Sequence, residues 1–225
     1  MDTPVVKGRS CGMCSLCCKL LEVQAISKPE GKWCVHCAPG RERCTIYDRR
    51  PDQCRTFHCA WLTVGSLGDE WRPTKAKMVL SAEADGNRIA AHVDPAFPNA
   101  WREEPYYGAL KQLARDAVDT EGQVVVYLKK RVIVVLPDQD IELGELAPGD
   151  RIIVGAKETS NGRVFEASKI SADATPAPSS VENESTRSTL AGRSHLIGRA
   201  MAADARRTAV FHDLEQALDR LRATD

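Results

Sequence analysis

Four absences bound the reading. No cysteine occurs after Cys59, so all nine crowd into the first quarter of a 225-residue chain. No apolar run approaches the ~20 residues that a membrane-spanning helix needs. The opening "MDTPVVKGRS" lacks the apolar stretch of a secretory signal. Net charge is absent too, with 31 Lys and Arg against 31 Asp and Glu. Such a balance builds no overall field toward nucleic acid or an acidic membrane, so neither is expected as a partner. The expectation is a soluble, cytoplasmic chain, one domain plus appendages, long enough to bury a core. Nucleotide chemistry has no carrier either. "GELAPGD" (Gly144–Asp150) has turn residues but no phosphate-loop lysine, and no Gly-rich strand-to-helix loop is evident.

What is present falls into four stretches. Residues 1–63 are cysteine-rich, with "AISKPEGKW" (Ala25–Trp33) reading as a loop. "VGSLGDE" (Val64–Glu70) reads as a second loop and a module boundary. Residues 64–170 read as a small α+β body packed with the first region, a mostly antiparallel sheet with one or two helices. Within it, "KMVLSAEADGNRIAAHVD" predicts two strands joined at Asp85-Gly86-Asn87. Tyr106, Leu110, Leu113 and Val118 recur at helical spacing, so an amphipathic helix is expected from Pro105. "QVVVYLKKRVIVVLP" predicts a hairpin about Lys129-Lys130, and "GDRIIVGAKETSNGRVFEASKI" another near Asn161-Gly162. His92, within a predicted strand, reads as a hydrogen-bonded surface or core residue. Residues 171–188, "SADATPAPSSVENESTRS", are too poor in large apolar groups to offset chain ordering and read as a flexible linker. Residues 189–225 regain helical spacing at Val210, Leu214, Leu218 and Leu221. That C-terminal helix either docks on the body or binds an unknown protein partner.

The cysteines read C-x2-C-x2-C-C-x15-C-x2-C-x6-C-x9-C-x4-C. An odd count in a reducing compartment argues against disulfides, and idle thiols would be scattered rather than clustered. Metal remains. For zinc, Cys11, Cys14, Cys34 and Cys37 form C-x2-C-x19-C-x2-C, a ribbon spacing. The five cysteines left over could form a second site, with His36 or His58 adding an imidazole. For an iron–sulfur cluster, "CGMCSLCC" supplies the C-x2-C-x2-C opening of a [4Fe–4S] site, with Cys44 or Cys54 as remote thiolate. Neighbouring side chains usually diverge, so Cys17 and Cys18 are not expected to clasp one small ion. If both bind, more than one metal atom is required. On a helix from Pro51, Cys54 and His58 would share a face. Arg50 and Arg55 stand near in sequence to offset cluster charge. This reading favours iron–sulfur over zinc.

"CGMCSLCC" followed by "CTIYDRRPDQCRTF" closely resembles the CxxCxxCC cysteine-cluster family, the YkgJ-like proteins described as zinc- or iron-chelating. The resemblance covers about the first quarter of the chain. It implies Cys11, Cys14, Cys17, Cys18, Cys34, Cys44 and Cys54 as ligands, and Tyr47, Arg50, Pro51, Arg55 and Phe57 as framework. Cys37, Cys59, His36 and His58 lie outside the mapped motif and stay as further metal candidates. The implied role is redox chemistry or metal handling through an iron–sulfur cluster. The alternative is a zinc-stabilised interaction module. One branch of the family is similar to flagellin lysine N-methylases, which use an iron–sulfur cluster and S-adenosylmethionine. That makes a protein-modifying enzyme the third expectation. The C-x3-C-x2-C of radical enzymes is missing.

Overall fold

Val124 and Val126 pack into one apolar layer while Val125 and Tyr127, between and beyond them, pack into another. The next strand repeats this, with Ile133 and Val135 on the first side and Val132 and Val134 on the second. Both runs are continuously apolar because both faces of this part of the sheet are covered.

The computed structural model describes residues 5–11, 14–38, 43–83, 88–118, 122–147, 149–160 and 162–171. In chain order the elements are α1 (Leu16–Leu20), α2 (Asp52–Thr56), α3 (Ala60–Thr63), α4 (Pro73–Ala76), β1 (Met78–Glu83), β2 (Arg88–Val93) and α5 (Tyr106–Ala117). They continue with β3 (Gln123–Leu128), β4 (Arg131–Val135), β5 (Asp140–Glu145), β6 (Arg151–Thr159) and β7 (Gly162–Ile170). Strands β1 to β5 form one sheet in sequence order, and β6 pairs with β7 in a separate ribbon. The fold is α+β with a mixed sheet. Its β2–β3 pair is parallel, with α5 in the connection, and its other pairs are antiparallel.

The predicted hairpins pair as expected: Met78 opposite Val93 through Glu83 opposite Arg88, and Val124 opposite Val135 through Leu128 opposite Arg131. The turns proposed at Asp85-Gly86-Asn87 and at Asn161 lie outside the described residues, as do the linker beyond residue 171 and the C-terminal helix at 189–225. Helix α5 buries Tyr106, Leu110 and Leu113 as its periodicity foretells, with Ala109 and Ala114 beside them, while Val118 caps the helix and packs against the second core. Among the described residues, no helix is long and apolar enough to cross a membrane.

The ribbon closes the second face, where Ile152 and Phe165 meet Val125, Val132 and Val134. The first face carries the larger core and joins the cysteine-rich region to the sheet. Leu16 and Leu20 of α1 and Ala60, Trp61 and Leu62 of α3 share it with β1 and α5. Arg9 fastens the same junction, its guanidinium donating to the carbonyls of Trp61, Val64, Gly65 and Leu67. Val64 and Leu67, within the expected loop at 64–70, are buried in that core.

Candidate metal centre

Each cysteine segment is turned back on itself by its own backbone. The amide of Cys14 donates to the carbonyl of Cys11 at 3.4 Å, and that of Cys37 to Cys34 at 3.1 Å. In the second turn the His36 amide also donates to Cys34 Sγ at 3.4 Å. A short antiparallel bridge sets Cys37 opposite Cys44, and the Cys34 amide donates to the Cys18 carbonyl at 3.0 Å. Helix α1 is one turn and a half long and buries Leu16 and Leu20, four residues apart, in the core. Its other flank presents Cys17 and Cys18. Cys54 sits in α2, where its amide closes on the Pro51 carbonyl at 2.9 Å.

These segments enclose one cavity of about 120 Å³. All seven cysteines implied by the family resemblance line it: Cys11, Cys14, Cys17, Cys18, Cys34, Cys44 and Cys54. Cys59 and His36, left open by the sequence, line it as well. Cys37 stands behind, hydrogen-bonded to Cys18. His58 does not join them. Helix α2 ends at Thr56 and Phe57 is extended, so the shared helical face of Cys54 and His58 does not form. The His58 ring contacts the Thr56 carbonyl instead. Cys17 and Cys18 hydrogen-bond to each other, and both border the cavity.

The thiols form a linked set, Cys11 to Cys17 to Cys18 to Cys37. Hydrogen bonding with Cys17 lowers Cys11 to about 7 and Cys18 to about 6, while Cys17 itself is driven well upward. Burial raises Cys14, Cys44 and Cys54, and takes Cys37 and Cys59 to about 12. Two cations serve this set. Lys28 is buried, its ammonium held by the carbonyls of Lys19 and Leu21, and its charge favours the Cys18 thiolate. Arg50, expected as framework, lines the cavity and lies 3.6 Å above the Tyr47 ring centre. Its Nε is buried without a hydrogen-bond partner, and so is Nε1 of Trp61, another lining residue.

Among the described residues, no three His, Cys, Asp or Glu side chains converge closely enough to hold a single metal ion. Eight thiols line the cavity instead, with Cys11, Cys17 and Cys18 among them hydrogen-bonded in turn. A single zinc ion requires four donors about 2.0–2.3 Å from one point, which this arrangement does not offer as it stands. A polynuclear centre accepts thiolates set around its periphery, and a soft, all-sulfur donor set suits it. Leu21, Val23, Ile26, Ile46 and Phe57 complete the wall and make it largely apolar.

Sequence reasoning missed Trp61, for which no motif speaks, and Lys28, placed in a stretch read as loop. No family model, no curated protein and no solved structure matches the chain.

Proposed function

We propose that this protein carries an iron–sulfur cluster in the thiol-lined cavity and serves a redox or metal-handling role. The observation that carries this reading is the set of eight cysteines that line one hollow of about 120 Å³. Cys11, Cys14, Cys17, Cys18, Cys34, Cys44 and Cys54 would hold the cluster, with Cys59 as a further donor. One-electron transfer is the chemistry that such a group supplies when bound. The chain's own residues prepare the place. The largely apolar lining lowers the local dielectric and strengthens each charge–charge contact. Lys28 and Arg50 offset the negative charge that several thiolates accumulate. The short backbone turns fix the sulfurs before metal arrives, so less ordering remains to be done on binding.

A second reading, a zinc-stabilised interaction module, draws on the Cys34–Cys37 turn. Its N–H···S contact and the bridge to Cys44 resemble a zinc knuckle. One measurement separates the two. Protein purified without oxygen should contain iron and acid-labile sulfide in equal amounts and absorb broadly in the visible. A colourless protein with stoichiometric zinc would overturn the iron–sulfur reading.

A further inference from the structure

Two buried N–H groups beside the cavity have no acceptor. The Trp61 indole is 91% removed from solvent and its Nε1 finds no hydrogen-bond partner; the Arg50 Nε is in the same condition. A buried donor left unpaired loses its hydration with nothing in return, so each such group calls for an acceptor. Neither position relieves itself elsewhere. The Trp61 ring lies between Arg9 at 5.2 Å and Arg72 at 5.8 Å, both of them donors rather than acceptors. Arg50 is held against the Tyr47 face, which occupies its π-surface but accepts nothing at Nε. Both residues line the cavity, and none of its thiols accepts a hydrogen bond from either nitrogen.

We infer that Trp61 Nε1–H and Arg50 Nε–H are hydrogen-bond donors to the sulfurs of a metal–sulfur cluster held in this cavity, and that they raise its reduction potential. The inference rests on the proposed cluster reading. The acceptor must be brought by the occupant, it must be electron-rich, and it must sit among thiols; cluster sulfide or metal-bound thiolate meets all three conditions. Reduction adds negative charge to those sulfurs. Donors aimed at them therefore stabilise the reduced form more than the oxidised one. Both residues act by positioning and polarising; neither is a ligand.

The test is a redox titration of the anaerobically purified full chain, followed by its visible absorption. Trp61→Phe keeps an aromatic ring and deletes the N–H. Arg50→Lys keeps the charge and deletes the Nε–H. Each should retain iron and sulfide and shift the midpoint to more negative potential. For the double variant the expected change is on the order of tenfold in the reduced-to-oxidised ratio at fixed poise, which is about 59 mV for a one-electron couple. A residue that only packs would change cluster content or stability and leave the potential of the retained cluster in place. That result overturns the inference while sparing the cluster reading. Wild-type protein without iron and sulfide overturns both. Should Trp61→Phe fail to load, the wild type still decides. With 15N-labelled tryptophan, the reduced cluster should show hyperfine coupling to an indole nitrogen. Of the four tryptophans, Trp61 is the one that lines the cavity. Absence of that coupling overturns the assignment.

Discussion

The backbone N–H of Cys34 donates to the carbonyl of Cys18 at 3.0 Å, which ties the second C-x2-C turn to the adjacent Cys17-Cys18 pair. Cys37 adds a side-chain bond to Cys18 from the same turn. The two halves of the cysteine region therefore meet at Cys18 and border one cavity. Cys18→Ser should lower iron and labile sulfide together, by well over half. Metal analysis of the purified variant checks this. Retention of half the metal in a single well-defined site would show two independent centres instead.

Lys28 is 5% exposed, and its ammonium is bound by the carbonyls of Lys19 and Leu21 at the end of α1. These are carbonyls that a helix terminus leaves without partners, and a cation there also complements the helix dipole. Lys28→Met keeps most of the volume and strips the donors. The expected loss is about 1–3 kcal/mol, read as a lower urea midpoint of the metal-free protein. An unchanged midpoint would mean that the ammonium contributes nothing to the fold.

The elements legible in the sequence are those whose pattern is local. Strands β1 to β4 alternate or run apolar between turn residues, β6 and β7 flank Asn161-Gly162, and α5 repeats its buried stripe over three turns. Strand β5 was not legible. Its segment Asp140–Glu145 is acidic and half exposed, Gly144 has a φ of +72°, and the ladder shifts register between Val132 and Ile133. The parallel pairing of β2 with β3 depends on where α5 returns the chain, which no local spacing encodes. Helix α2 follows Pro51 as expected but stops at Thr56, while α1, α3 and α4 span four or five residues each, too short for a period to show. For the candidate site, the thiols announced themselves by spacing. Lys28 did not, because a lysine amid Pro, Gly and charge reads as solvated, and its burial follows from carbonyls brought by α1. Arg50 stood out by its motif and its charge, but its unpaired Nε, like Nε1 of Trp61, shows only in three dimensions.

Glu83 receives His92 Nε2 at 2.9 Å, and His92 stacks on Tyr127 at 4.9 Å between centroids. Burial pushes the Glu83 carboxyl up, but the His92 hydrogen bond and the charges of His92 and Arg88 outweigh it and hold the group below its ordinary 4.5. A carboxyl whose folded value is depressed stabilises the fold above its unfolded value, and that contribution is lost as pH falls through the folded one. Glu83→Gln removes the ionisable group. The stability difference between wild type and variant should be largest above about pH 5 and should shrink steadily in more acid solution. Urea midpoints along an acid pH series give the readout. A difference that stays constant through the acid range would exclude linkage through Glu83.

Arg9 donates to four main-chain carbonyls between Trp61 and Leu67 and lies 5.2 Å from the Trp61 ring centre. One guanidinium thus fixes the chain that leaves α3, and Trp61 in α3 lines the thiol cavity. Charge-assisted hydrogen bonds contribute about 1.5–3 kcal/mol each when taken singly. Four on one group are not additive, because removing it frees the loop to hydrate its carbonyls together. Arg9→Ala should therefore cost about 3 kcal/mol, about what one or two such bonds contribute. Arg9→Lys restores the charge but offers three donors from a single point in place of a planar fork of five. It should recover less than half of that loss. Both variants should also surrender metal to a chelator faster than wild type, since the wall that carries Trp61 is loosened. Chelator-release rates and urea midpoints measured on the same preparations check the two effects together. Stability lost without faster metal release would separate the Arg9 clamp from the cavity.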